Sequence, residues 1–237
     1  MRVIHFSGGQ SSALMTIENY LPGDLVIFCD TGRENPKTYK FINDFEAREN
    51  IPVIRLTMPG GWNSMLKKMG GIPSMFKRKC TQELKVKTAR RYLRSLGIIH
   101  YTQLIGFRTD EKVRREKYRE QWKTVITRFP LTTDKQGVNS YWSKKPYRLE
   151  IPPILSNCDL CFMKGIDKII AILTNDISLA DKWIADEENE ILNHRKATYI
   201  KGYTMREVKE IAQSFIDKGK IFDLQNIEAK FSCSCTA

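Results

Sequence analysis

The stretch Arg2-Val3-Ile4-His5-Phe6-Ser7-Gly8-Gly9-Gln10-Ser11-Ser12-Ala13-Leu14-Met15 decides the fold of this chain. Val3 to Phe6 is an apolar run of strand length, and it feeds straight into Ser7-Gly8-Gly9. Helical spacing begins at once, with Leu14, Ile17 and Leu21 recurring on one face. Paired glycines between strand and helix let the backbone turn sharply and bring a ligand close to its amides. The helix start supplies N–H donors without intrahelical partners, at the positive end of the dipole. Such a turn suits a phosphate or sulfate. It is neither G-x-G-x-x-G nor G-x-x-x-x-G-K-[ST], and by itself it also fits an ordinary βα turn.

Working outward, Asp24 to Phe28 reads as a second buried strand and Pro52 to Leu56 as a third. Between them a helix from Pro36 to Glu49 places Tyr39, Ile42 and Phe45 on one face. Strands alternating with helices imply right-handed crossovers and a parallel sheet, with ligands at the carboxyl ends of the strands. From Met58 to Phe76, glycine pairs and prolines break the pattern, and the segment reads as a flexible flap. Val86, Ala89, Leu93 and Leu96 then make the apolar stripe of a helix that Gly97 ends, and Tyr101 to Phe107 is the next strand. The expected fold is α/β: a Rossmann-like parallel sheet over residues 1–130, then a mainly helical portion over 131–237. In that portion, helices are expected at Ile166–Leu173, Ser178–Asn193 and Thr204–Ile216, the last opened by a Thr204/Glu207 capping box.

Charge and cysteines narrow the chemistry. Lys and Arg number 39 against 27 Asp and Glu, a net charge of +12. Lys67 to Arg148 alone carries 22 Lys/Arg against 6 Asp/Glu. A basic excess confined to one segment fits either a face for a polyanion such as tRNA or DNA, or a solvated surface. No run of about 18 uncharged apolar residues occurs, so a cytoplasmic protein with no membrane span is expected. Six cysteines are present: Cys29, Cys80, Cys158, Cys161, Cys233 and Cys235. Cys158 and Cys161 form a C-x-x-C, which in such a compartment points to metal or redox chemistry, while Cys29 reads as core. His5, His100 and His194 lack ligand spacing and read as structural.

Several separated motifs carry a family resemblance. Ser7-Gly8-Gly9-Gln10-Ser11-Ser12 resembles the SGGxDS pyrophosphate loop of the adenine nucleotide α-hydrolase-like (PP-loop) superfamily, with Ser11 where Asp is usual. The segment Phe28-Cys29-Asp30-Thr31-Gly32-Arg33-Glu34-Asn35-Pro36 resembles the F-x-DTG-x-E-x-P of phosphoadenylyl-sulfate (PAPS) reductases. Cys80 falls in a stretch similar to their (C)C-x-x-x-[RK]-K-V-x-P, with Lys79 in place of a second cysteine. Arg108, Asp110, Glu111 and Arg114 match G-[IF]-R-x-D-E-x-x-R, with Arg115 adjoining, and Asn157, Cys158, Cys161, Phe162 and Lys164 match NC-x-L-CF-x-K-G, both of PAPS reductase-like proteins. The ECGLH tail motif of the reductases is missing.

The resemblance implies an enzyme of sulfur chemistry that binds an adenine nucleotide, either ATP or an adenylyl sulfate (PAPS or APS). By that likeness Ser7, Gly8, Gly9, Gln10, Ser11 and Ser12 would hold the phosphate or sulfate. Asp30, Thr31 and Gly32 would line the nucleotide pocket, and Arg108 would clamp an anion. The same likeness implies Cys80, Cys158 and Cys161 as ligands of a [4Fe–4S] cluster or zinc, with Cys233 or Cys235 as the fourth. As a further option, the tail cysteines, Cys235 and Cys233, are candidates for a catalytic nucleophile. Two alternatives stay open: ATP-dependent thiolation of tRNA or DNA, and a non-enzymatic nucleic-acid-binding protein with structural zinc. The sequence is silent on oligomeric state.

Overall fold

The computed structural model describes residues 1–74, 77–118, 122–152, 154–155, 157–192, 198–225 and 227; for 190–192 it describes the backbone alone. The chain forms two compact units: Met1–Met58 with Thr81–Glu150, and Pro59–Cys80 with the described residues from Ile151 on.

The first unit is built on five parallel strands: β1 (Arg2–His5), β2 (Leu25–Asp30), β3 (Ile54–Thr57), β4 (Tyr101–Ile105) and β5 (Val125–Arg128), in the order β3-β2-β1-β4-β5. β1 is central because both of its neighbours cover it: Val3 lies opposite Leu25 on one side and Gln103 on the other. It is fully buried at Val3 and Ile4, the apolar pair at its centre. One face of the sheet carries α1 (Gln10–Asn19) and α2 (Pro36–Glu49), whose Leu14, Met15, Phe41, Ile42 and Phe45 pack on Ile4, Phe6, Val26 and Phe28. Asn35 caps α2 by accepting from the Lys37 amide, with Pro36 in the first turn as the sequence implies.

The opposite face gathers Val3, Ile27, Cys29, Tyr101 and Val125 under Ala89 and Leu93. Of the next two helices in the chain, α3 (Gly61–Met69) belongs to the second unit, and α4 (Lys87–Ser95) supplies Ala89 and Leu93. A π-helical turn over Cys80–Val86 leads directly into α4. The first unit is completed by α5 (Lys112–Lys117) and α6 (Lys135–Ser143), whose Trp142 is buried against Phe41 and Tyr147.

The second unit is helical where it is described. It comprises α3, then α7 (Ile166–Leu173), α8 (Asp181–Leu192) and α9 (Met205–Asp217), with short 3-10 turns at Phe162–Lys164 and Ile177–Ala180. Trp62, Trp183 and Tyr199 pack edge to face, and Asp186 accepts from both the Trp62 indole and the Tyr199 hydroxyl at 2.9 Å. The expected capping box is present: Thr204 accepts from the Glu207 amide and Glu207 from the Thr204 amide. Two expectations are corrected. The flap contains a regular helix, α3, with Trp62, Met65 and Leu66 buried. The helix expected from Ser178 begins at Asp181, after a 3-10 turn. No helix among the described residues is long and apolar enough to cross a membrane.

Candidate nucleotide site

The carboxyl end of β1 is a topological switch point. The chain leaves it toward β2 on one side, while β4 lies on the other, so a crevice opens between the two connections. Ser7 to Ser12 fills the mouth of that crevice. Gly8 has φ +76°, and a Cβ there would stand 2.6 Å from Thr38 Cγ2 and 3.2 Å from the Phe28 ring. Only glycine satisfies both demands. Gly9 is the N-cap of α1 at φ −103°, an ordinary extended conformation, and no side chain caps the helix. The first-turn amides of α1 therefore face the crevice without a side-chain acceptor.

The serines divide their labour. Ser12 is buried, and its Oγ accepts from the Ser7 amide at 3.1 Å and donates to the Gly9 carbonyl at 2.8 Å. Ser7 Oγ lies 2.9 Å from Ser12 Oγ. The Ser12 hydroxyl is thus spent on shaping the loop. Two outside supports hold the loop. Trp142 Nε1 donates to the Gln10 carbonyl at 3.0 Å. Gly106, just beyond β4, lets α1 approach so closely that a Cβ would stand 2.9 Å from Ser12 Cα. Neither support is legible in the sequence, because neither lies near the loop along the chain.

At the end of β2, Asp30 Oδ1 accepts from the Gly32 amide and the Tyr39 hydroxyl, each at 2.8 Å. Thr31 is buried and donates to Glu34 Oε1 at 3.0 Å, and Lys85 Nζ lies 3.5 Å from the same oxygen. This ion pair is enclosed, with side-chain exposures of 7% and 0%. Cys29 lies beneath it and donates to the Lys85 carbonyl at 3.5 Å; burial pushes its thiol up to about 11. Cys29 is therefore an inert core thiol.

At the end of β4, Arg108 grips Asp110 in a two-pronged contact at 2.9 and 3.1 Å. Burial would raise the Asp110 carboxyl, but the Arg108 bond outweighs it and holds the group below its usual range. Glu111 accepts from the Arg108 amide at 2.9 Å and pairs with Arg114. Arg115 donates to the carbonyls of Phe107 and Leu131, tying together the exits of β4 and β5. Of the matched arginines, Arg108 is the one set at the strand end, and its fork is held by Asp110 in this arrangement.

Of the cysteines expected to share a centre, Cys80, Cys158 and Cys161 lie within the described residues. Cys80 and Cys158 are half-buried and Cys161 is buried. Lys164 donates to the Cys158 carbonyl at 3.3 Å, closing the turn that follows the C-x-x-C. Among the described residues, no group of three or more His, Cys, Asp or Glu side chains is placed to hold a metal ion. The expected fourth ligand, Cys233 or Cys235, lies outside the described residues.

Comparison with known proteins identifies the family. The family model described as phosphoadenosine phosphosulfate reductase domain matches residues 2–154. The chain belongs to this family. Among curated relatives of this PAPS reductase-domain protein, the uncharacterized nin region protein ORF290 of Escherichia phage lambda is 29% identical over 202 residues, covering 71% of this chain and 68% of the relative. An uncharacterized protein of Methanocaldococcus jannaschii is 33% identical over 114 residues, 47% of this chain and 27% of its own length. A crystal structure of PAPS reductase from Candida auris, as a phosphate complex, matches with a TM-score of 0.44 at 21% identity, covering 62% of this chain and 73% of that one.

Proposed function

We propose that this PAPS reductase-domain protein is an enzyme that binds an adenine nucleotide, ATP or an adenylyl sulfate, for reduction or transfer of sulfur. The observation that carries the reading is the start of α1 at the carboxyl end of the central strand, which no side chain caps, with Gly8 letting the loop pack closely on β2 and α2 and Gly106 letting α1 pack closely on the end of β4. The amides of Gly9, Gln10, Ser11 and Ser12 would hold the phosphate or sulfate, with Ser7 and Gly8 shaping their approach. Asp30, Thr31 and Gly32 would border the nucleoside. Arg108 would exchange Asp110 for the anionic end of the ligand, a guanidinium fork being suited to either partner. Cys233 and Cys235 are the candidate nucleophiles toward the sulfur. Calorimetric titration with ATP and with adenylyl sulfate tests the reading, which fails if neither binds.

The charge excess in Lys67 to Arg148 favours one variant, in which ATP activates a tRNA or DNA for thiolation. Several of those cations have internal partners, including Lys85, Lys87, Arg108, Arg114 and Lys145. Arg91 and Arg94 on α4 are exposed, and they are where such a polyanion would be met.

A further inference from the structure

A polar layer crosses the sheet just below the candidate site, on the face that carries α4. His5 is the last residue of β1 and is buried at 8% exposure. Its Nε2 lies 3.0 Å from Gln103 Oε1. Gln103 in turn donates through Nε2 to the Tyr118 hydroxyl at 2.6 Å and to Thr127 Oγ1 at 2.8 Å. In this arrangement Oε1 is the end of the amide that faces His5. An amide oxygen only accepts, so His5 carries its proton on Nε2 and Nδ1 is left as a bare acceptor. Nδ1 has no partner among the described residues. By strand alternation, the next residue on this face after His5 is Ser7, the first residue of the loop. Burial keeps the imidazole neutral, with its pKa lowered to about 4 against the opposing effect of the Gln103 bond.

A neutral acceptor cannot serve the phosphate or sulfate itself, which offers no hydrogen at neutral pH. It suits the nearest donor on an adenine nucleotide whose phosphate sits at the loop, and the sugar is bonded directly to that phosphate. We propose that His5 Nδ1 accepts a hydrogen bond from a ribose hydroxyl of the bound nucleotide, with Gln103 as the positioning residue that fixes the tautomer. The inference rests on the nucleotide reading above and adds a preference for ribose over deoxyribose that the loop amides alone would not give.

The test measures the affinities of ATP, 2′-deoxy-ATP, 3′-deoxy-ATP and ITP for the parent and for His5→Phe. The parent should prefer ATP over one of the two deoxy analogues by about tenfold, the worth of one buried hydrogen bond, and His5→Phe should bring that ratio close to one. Should His5→Phe fail to fold, His5→Asn retains a partner for Gln103 and should lose the preference likewise. A ribose preference that is absent in the parent or unchanged in a folded variant overturns the proposal. So does a loss confined to the ATP-to-ITP ratio, which would assign His5 to the base. Failure of the parent to bind any of these nucleotides or adenylyl sulfate sinks the wider reading, a result distinct from the others.

Discussion

Gly8 and Gly9 stand side by side in the loop yet answer to different constraints. Gly8 needs its left-handed conformation and has Thr38 and Phe28 where a side chain would go. Gly8→Ala should therefore cost stability, about 1–3 kcal/mol, seen as a lowered midpoint in urea. Gly9 has a conformation open to any residue. Gly9→Val should leave the midpoint almost unchanged and abolish nucleotide binding, because its side chain would occupy the anion's approach. Equal affinity in the parent and Gly9→Val would contradict the loop assignment. His5 supplies a second residue-level prediction, on pH. Its folded pKa is about 4 against about 6.5 in the unfolded chain, so between those values the unfolded state binds the extra proton. Stability should be full above about pH 6.5, fall by roughly 3 kcal/mol as pH drops toward 4, and level off below that. In His5→Asn that part of the acid loss should vanish. The sequence marks His5 only as a histidine without ligand spacing; its significance comes from Gln103, a partner that no local pattern links to it.

At the scale of elements, the exits of β4 and β5 depend on one side chain. Arg115→Ala would release the Phe107 and Leu131 carbonyls together. The expected cost is about 1–3 kcal/mol, with weaker nucleotide binding as the strand ends loosen. Thermal unfolding and calorimetric titration with ATP check the two parts. β2 is readable in the sequence because its burial makes Leu25 to Cys29 a continuous apolar run, while β1 and β4 are readable through the shorter apolar pairs Val3-Ile4 and Leu104-Ile105. β5 is not, since only Val125 and Thr127 of its four residues are buried and it lies at the sheet edge. α3 escapes a pattern reading because its glycines look like breakers. In the structure, Gly60 and Gly70 are its caps, both left-handed, and the helix runs between them. The signal that could find it is Trp62, Met65 and Leu66 at helical spacing. The π-helical turn at Cys80–Val86 has no sequence signature, as its bonding pattern repeats over a longer interval than the one helix patterns test.

For the whole molecule, charge and tail carry the predictions. Arg90 stacks over the Trp122 ring at 3.8 Å, so reversing it would disturb packing. Arg91→Glu with Arg94→Glu is the cleaner probe. If a polyanion binds this helix, the double variant should reduce the slope of log K against log salt by about 0.9 for each duplex phosphate it no longer neutralises. No retention of the parent on tRNA or DNA at low salt would leave the small-molecule reading alone. Removing the residues after Phe231 should leave nucleotide affinity unchanged and eliminate turnover if Cys233 or Cys235 is the nucleophile. Unchanged turnover would remove both from the reaction. The central place of β1 has one more consequence, for how the protein is made. Arg2 pairs opposite Thr102, so the strand that bears the nucleotide loop has an open edge until β4 has been synthesised and docked. The crossovers of a parallel sheet make such pairing slow. A nascent chain that stalls before Tyr101 would thus present β1 with one unpaired edge, and ribosome-bound intermediates of that length should be the ones that recruit chaperones or aggregate.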